Sequence, residues 1–128
     1  MILLKRAYDE VSPTDGIRIL VDRLWPRGVK KNFAQIDIWL KEISPSTGLR
    51  KWFAHQIEKW EEFKLFYYDE LDRNPEPVQR VIQLAMNETV TLVYGAKDTE
   101  HSHALALKSY LDHAIKQVRV PKSQHVQP

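Results

Sequence analysis

The apolar positions along the chain change their spacing several times, and each change marks an element. Ile2–Tyr8 is a short run that suits a strand, followed by a turn zone at Ser12-Pro13-Thr14-Asp15-Gly16. Ile17–Val21 is rich in β-branched residues and too short for a helix, which predicts a second, buried strand. From Asn32 to Ile43 the residues Phe33, Ile36, Trp39, Leu40 and Ile43 fall at helical spacing, predicting one amphipathic helix that Pro45 stops. Ser46 is placed to cap a short helix carrying Leu49, Trp52 and Phe53. Trp60, Phe63, Tyr67 and Leu71 predict a helix over Glu58–Leu71. Pro75 and Pro77 then break the chain, and Val78–Met86 predicts another helix with Val78, Val81, Ile82 and Ala85 inward. Thr89–Gly95 is the third strand by its Val, Leu and Tyr content. His101–Val118 reads as a long final helix with Ala104, Leu107, Leu111 and Ile115 on one side. Trp39, Trp60, Phe63 and Phe66 are assigned to the core.

Strands separated by helices put the chain in the α/β class. The expected architecture is a small parallel or mixed sheet of about three main strands covered by helices. Residues 1–118 form one domain, and residues 119–128 are a polar tail without periodicity, expected to fray. A chain of 128 residues buries roughly two-thirds of its unfolded surface, enough for a core without staples.

Composition removes several function classes. There are no cysteines, which excludes disulfides, thiolate metal sites and cysteine nucleophiles, and fits a reducing compartment. The start turns charged at Lys5 and Arg6, against the order of a signal peptide, and no window approaches the ~18 apolar residues of a membrane span. A cytoplasmic location without membrane contact is the expectation. Four glycines are too few for a glycine-rich phosphate cradle, and no dinucleotide-fold or serine-hydrolase signature occurs, so no cofactor is expected.

The net charge of +2 is too small to announce a nucleic-acid binder, but the charges are unevenly spread. Arg18, Arg23, Arg27, Lys30 and Lys31 face only Asp22, whereas six acidic residues from Glu58 to Asp72 face only Lys59 and Lys64. The plain reading of such runs is a solvated face.

Ligands of open α/β sheets collect beyond the carboxyl ends of the strands. Two polar segments lie there, Asp22–Gly28 and Ala96–His103, and they share one edge if strands two and three run parallel. The first carries Asp22, Arg23, Trp25 and Arg27. Arginine forks bind phosphates or carboxylates through paired hydrogen bonds, and tryptophan offers a stacking face. The plainer alternative pairs Asp22 with an arginine, buries Trp25 and leaves Arg27 in water. The second segment offers Lys97, Asp98, His101 and His103 at the mouth of a helix, where free N–H groups favour an anion. Here the plainer alternative makes Asp98 an N-cap, with both histidines exposed. His101 and His103 are two apart and point to different faces, so no metal site is expected. Arg50, Trp52 and His55 form a third cluster. An unperturbed imidazole titrates near neutrality, so His55 suits proton transfer, or equally a helix end that satisfies carbonyls.

These segments carry a resemblance. The run Leu20-Val21-Asp22-Arg23-Leu24-Trp25-Pro26-Arg27-Gly28 is followed by Asp37-Ile38-Trp39-Leu40-Lys41, Pro45-Ser46 and Arg50-Lys51-Trp52-Phe53-x-His55. Trp60-x-x-Phe63, Leu92-x-Tyr94-x-Ala96-Lys97-Asp98 and His101-x-His103-Ala104 come later. Order and spacing resemble the DUF488 family, in its YeaO-like branch, over roughly Leu3 to Leu111. The resemblance implies a small α/β domain and names no substrate. Other branches carry a cysteine after the last strand and a Cys-His-Arg run beyond it. Here Tyr94-Gly95 and His101-Ser102-His103 stand instead, so no thiol chemistry carries over. The resemblance also implies that Asp22, Arg23, Arg27, Arg50, His55, Lys97 and Asp98 act together.

The leading expectation is a small enzyme or binding protein for a phosphate- or carboxylate-bearing small molecule, a nucleotide among them. Arg23, Arg27, Arg50 and Lys97 would hold the anion, with His101 and His103 beside them, and Trp25 would stack. Asp22, His55 or Asp98 would move a proton. One alternative is a nucleic-acid-associated module using the basic stretch from Arg18 to Lys31. Another is a partner-binding structural domain with Trp25, Trp52 and Phe53 exposed as a patch.

Overall fold

A computed structural model of the protein describes residues 1–119, so the expectation for the tail falls, apart from Arg119, outside the described residues. Four parallel strands, β1 (Ile2–Arg6), β2 (Ile17–Leu20), β3 (Ile38–Trp39) and β4 (Val90–Tyr94), form one sheet in the order β1-β4-β2-β3. The helices are α1 (Lys31–Ala34), α2 (Thr47–Phe53), α3 (Trp60–Asp72), α4 (Pro75–Asn87) and α5 (His103–Arg119), with single 3-10 turns at Pro13–Asp15, Lys41–Ile43 and Ile57–Lys59. The α/β expectation therefore holds, with one short strand more than the pattern announced. The strands β2 and β4 are adjacent, Ile19 facing Leu92 and Leu20 facing Val93.

Alternation along the strands sorts their side chains onto two faces. Ile19 and Val21, with Val90, Leu92 and Tyr94, face the main core, where Phe63, Tyr67 and Leu71 of α3, Val81 and Ile82 of α4, and Leu107 and Leu111 of α5 pack on them. Leu20, Val93 and Ala7 face the other way, into a small cluster closed by Trp25, Val29, Ile36 and Trp39. That second face meets only the single turn of α1, whose Ala34 carbonyl accepts the Arg18 Nε proton at 2.9 Å. Loop residues cover the rest, and its buried polar residues, Asp15, Arg18 and Thr91, are joined to one another. Arg18 Nη1 donates to Asp15 at 2.7 Å and Thr91 Oγ1 donates to the Asp15 carbonyl at 2.6 Å.

Several boundaries correct the sequence reading. Asn32–Ile43 is not one helix. Gln35 adopts a left-handed conformation (φ 46°) that ends α1 after one turn, and the Asp37 carboxylate then accepts the Arg18 N–H at 2.8 Å, drawing Ile38–Trp39 alongside β2. The apolar stripe is real but splits between faces: Ile36 and Trp39 join the small cluster, Leu40 and Ile43 the main core, and Phe33 is exposed. Pro75 and Pro77 do not break the chain before a helix. They sit in the first turn of α4, where a missing N–H costs nothing. The last helix starts at His103 rather than His101, because Ser102 caps it by accepting the Leu105 N–H at 3.1 Å. Phe66 is not core: it is 47% exposed and meets Trp52 edge-on. Among the described residues no helix is long and apolar enough to cross a membrane.

Candidate functional site

Parallel pairing of β2 and β4 brings both polar segments to the carboxyl edge of the sheet. Val21 N–H donates to Val93 O at 3.0 Å, and two residues further Gly95 N–H donates to Asp22 Oδ2 at 2.9 Å. Glycine at position 95 eases this approach, since a Cβ there would stand 3.1 Å from that same oxygen, which would have to give way by a few tenths of an ångström. From the first turn of α5, His103 Nε2 lies 3.0 Å from the Val21 carbonyl, so this nitrogen carries the proton and donates. It is also 3.3 Å from Asp22 Oδ1, which accepts no hydrogen bond. Burial pushes the Asp22 carboxyl up, against the pull of His103, the Gly95 N–H and Arg50. The same burial lowers His103 despite Asp22 and the Val21 carbonyl, which favours the neutral imidazole.

A cavity of about 420 Å³ opens beside this pair. Arg23 enters its wall directly after Asp22, and its Nη2 donates to Pro45 O at 3.3 Å. Arg50 enters from α2, with Nη2 reaching Thr47 Oγ1 at 3.5 Å. The start of α2 is fixed against α3: Ser46 N–H and Oγ donate to the Glu70 carboxylate at 2.9 and 2.6 Å, while Ser46 Oγ accepts the Leu49 N–H at 3.1 Å. The Nε atoms of both arginines are buried without a hydrogen-bond partner.

Aromatic rings line the far side. Phe53 stacks on Phe63 at 4.4 Å between ring centres, Phe63 on Trp60 at 5.7 Å, and His101 meets Trp60 edge-on at 5.4 Å. His55 sits at the rim, 6.0 Å from Phe53, held there by two successive left-handed residues, Ala54 (φ 46°) and His55 (φ 56°). Non-glycine residues in that region store strain that the surroundings must hold in place. Asp98 stands behind His101. It accepts the N–H groups of Glu100 and His101 at 2.9 and 3.0 Å and the His101 Nδ1 proton at 2.9 Å. Its own slight desolvation is outweighed by the His101 ring and the two N–H groups, so its carboxyl lies below the ordinary value.

Of the ten residues singled out in the sequence, Asp22, Arg23, Arg50, His55, His101 and His103 line one cavity. Asp98 contacts it through His101. Trp25 lies on the opposite face of the sheet, its Nε1 donating to Val29 O at 2.7 Å and its ring edge-on to Trp39 at 5.5 Å. Arg27 and Lys97 are exposed and outside the cavity wall. Ser102, not Asp98, caps α5. Gly95, Ser44, Thr47, Lys51 and Ser102 join the wall or its frame and were not singled out. Only Gly95, following a strand, left a readable signal. Among the described residues no group of three His, Asp or Glu side chains is placed to hold a metal ion.

Two surfaces expected of the alternatives are also altered. Arg18 is 2% exposed and paired to Asp15, so the basic stretch from 18 to 31 is not one continuous solvent face. Phe53 is core, which leaves Trp25 and Trp52 on separate parts of the surface rather than in one patch with it.

Residues 1–127 match the family model described as the inactive DUF488-N3 subclade. The chain belongs to the DUF488 family. Among curated relatives of this DUF488 chain, the uncharacterized protein YeaO of Escherichia coli (strain K12) is 44% identical over 110 residues, covering 86% of this chain and 96% of its own. The uncharacterized protein Rv3073c of Mycobacterium tuberculosis (strain ATCC 25618 / H37Rv) is 35% identical over 111 residues, 87% of this chain and 93% of its own. No solved structure matches the chain.

Proposed function

We propose that this DUF488 chain binds a small phosphate- or carboxylate-bearing molecule in the cavity, gripped by Arg23 and Arg50. The observation that carries this reading is the pair of buried, unpartnered Nε atoms on two arginines of one cavity wall. Folded proteins pair nearly all buried polar groups, and an orphaned one costs about 1–3 kcal/mol. An anion between two guanidinium groups would satisfy both at once through charge-assisted hydrogen bonds. The description of its subclade as inactive favours retention of a ligand over its turnover. The hydrogen bonds of Asp98 agree, because they tie its carboxylate to the turn before α5 and to His101. In this reading Asp22, His55, His101 and His103 are contact positions around the bound molecule.

Thermal denaturation against inorganic phosphate, nucleotides, sugar phosphates and small carboxylates tests it. At a hundred times its dissociation constant a ligand adds about 2.7 kcal/mol of stability, a readily measured shift. Arg23→Gln and Arg50→Gln should each remove most of that gain, whereas Arg27→Ala should keep it. If no anion shifts the wild-type transition, or the cavity variants respond like wild type, the reading is wrong.

A further inference from the structure

We infer that the molecule held in this cavity is a small amphiphile carrying an N–H or O–H donor beside its anionic group; this rests on the binding reading above and narrows it. Among the described residues four buried side-chain polar atoms lack a hydrogen-bond partner, and three belong to side chains that line this one cavity. Two are donors, the Nε–H groups of Arg23 and Arg50. The third, Asp22 Oδ1, is an acceptor. No donor among the described residues is directed at it: His103 Nε2 lies 3.3 Å away, but its hydrogen is directed to the Val21 carbonyl. The other carboxylate oxygen is committed to Gly95, so Asp22 cannot turn away from the cavity without losing that bond.

A bare anion would answer the arginines and set its oxygens against the Asp22 carboxylate with no proton between them. A neutral polar molecule would answer Asp22 and leave two guanidinium groups unpaired. A carboxylate or phosphate with an amino or hydroxyl group close by satisfies all three atoms. Beside its polar side chains the wall has an apolar part, from Pro45, Phe53, Phe63 and Ala96, with Leu24 72% exposed. An apolar body on the ligand would cover these groups, as small-molecule sites commonly arrange.

Calorimetric titration of the full chain with three matched probes tests the inference: 3-phenylpropanoate, 3-phenyllactate and phenylalanine. All share the carboxylate and ring; the second adds a hydroxyl and the third an ammonium group. Inorganic phosphate and phenyl phosphate serve as bare anions. We expect phenyllactate or phenylalanine to bind at least tenfold more tightly than phenylpropanoate, about 1.4 kcal/mol, and the tighter of the two names the donor. Asp22→Asn keeps an oxygen for Gly95 but turns an amide donor toward the cavity, and should bring the ratio close to one. Equal binding of the three probes by wild type overturns the inference and leaves the anion reading standing. So does binding of phosphate or phenyl phosphate without any of the three, or an Asp22→Asn ratio as large as wild type. If none of the five binds, both readings fall. The wild-type series alone is decisive should the variant fail to fold.

Discussion

Replacing Asp15 with alanine should be among the most damaging single changes away from the cavity. The Asp15 and Arg18 side chains are only 4% and 3% exposed and share a 2.7 Å ion pair. Asp15 also accepts from Lys5 Nζ at 2.8 Å and from the Ser12 N–H at 3.0 Å. Arg18 Nε donates to the Ala34 carbonyl at 2.9 Å, so the guanidinium cannot swing out to water without abandoning α1. Removing one partner of a buried pair costs about 3–5 kcal/mol, because the other charge stays behind uncompensated. Against a typical total of about 5–15 kcal/mol, that is a large share. At about 3–5 °C per kcal/mol for a chain this size, the transition should fall by about 10–20 °C in circular dichroism melts. Urea titration should show a lower midpoint with an unchanged slope. Adding Arg18→Met to Asp15→Ala removes the stranded charge, and much of the loss should return. Acid supplies an independent reading. Burial raises the Asp15 carboxyl, but Lys5, the Ser12 N–H and Arg18 together outweigh it and hold it below its usual 3.8. The unfolded chain therefore binds the proton first, so the contribution is complete above that value and is lost as pH falls through the folded-state value. A fall in melting temperature under about 3 °C, or a double variant no better than Asp15→Ala alone, would refute the reasoning.

Two further outcomes test the site itself. Gly95→Ala would drive a Cβ to 3.1 Å from Asp22 Oδ2 and 3.4 Å from Pro26 Cβ, so it should destabilise by about 1–3 kcal/mol and weaken anion-induced stabilisation, measured by the same melts. His103 has its pKa lowered by burial, so the folded state takes up its proton later than the unfolded one as pH falls. Stability should decline as pH drops from about 6.5 toward the folded value; nitrogen NMR should find His103 neutral, protonated on Nε2, at pH 6.5, and an imidazolium signal there would contradict this.

The fold was largely legible where one periodicity ran unopposed. The pattern of Val90–Tyr94 and of α3, and the Ser46 cap, each had one reading, and the structure agrees with them. The Asn32–Ile43 stretch failed because its stripe fits a helix locally. What decides against it is long-range: the Asp37 carboxylate on the Arg18 N–H, and Trp39 Nε1 donating to the Asp22 carbonyl at 2.8 Å. Neither contact has a sequence signature. Much of the cavity was legible because strand ends predict loop ends, and both polar segments followed strands. The choice among arginines was not. Arg23 and Arg27 look alike in sequence, but Arg23 follows Asp22 into the wall while Arg27 lies beyond Pro26 on an exposed turn whose carbonyl accepts from Tyr8.

Asp15, buried, and Asp22, partly buried, show how a site separates itself from a supporting ion pair. By sequence Asp22 reads as a partner for a neighbouring arginine and Asp15 only as part of a turn. Asp15 has Lys5, Arg18 and the Ser12 N–H on its two oxygens, and its pKa is lowered. Asp22 has one N–H on one oxygen, and its pKa is raised. Desolvation acts on both carboxylates; what differs is how much the protein returns. At Asp15 the return is complete, so the group serves the fold. At Asp22 it is partial, and the missing hydrogen bonds, one at Asp22 and two at the arginines, all belong to side chains that line the same cavity. Uncompensated polar groups scattered through a core would be defects of packing. Gathered on one cavity wall with opposite hydrogen-bonding sense, they outline the molecule that would complete them.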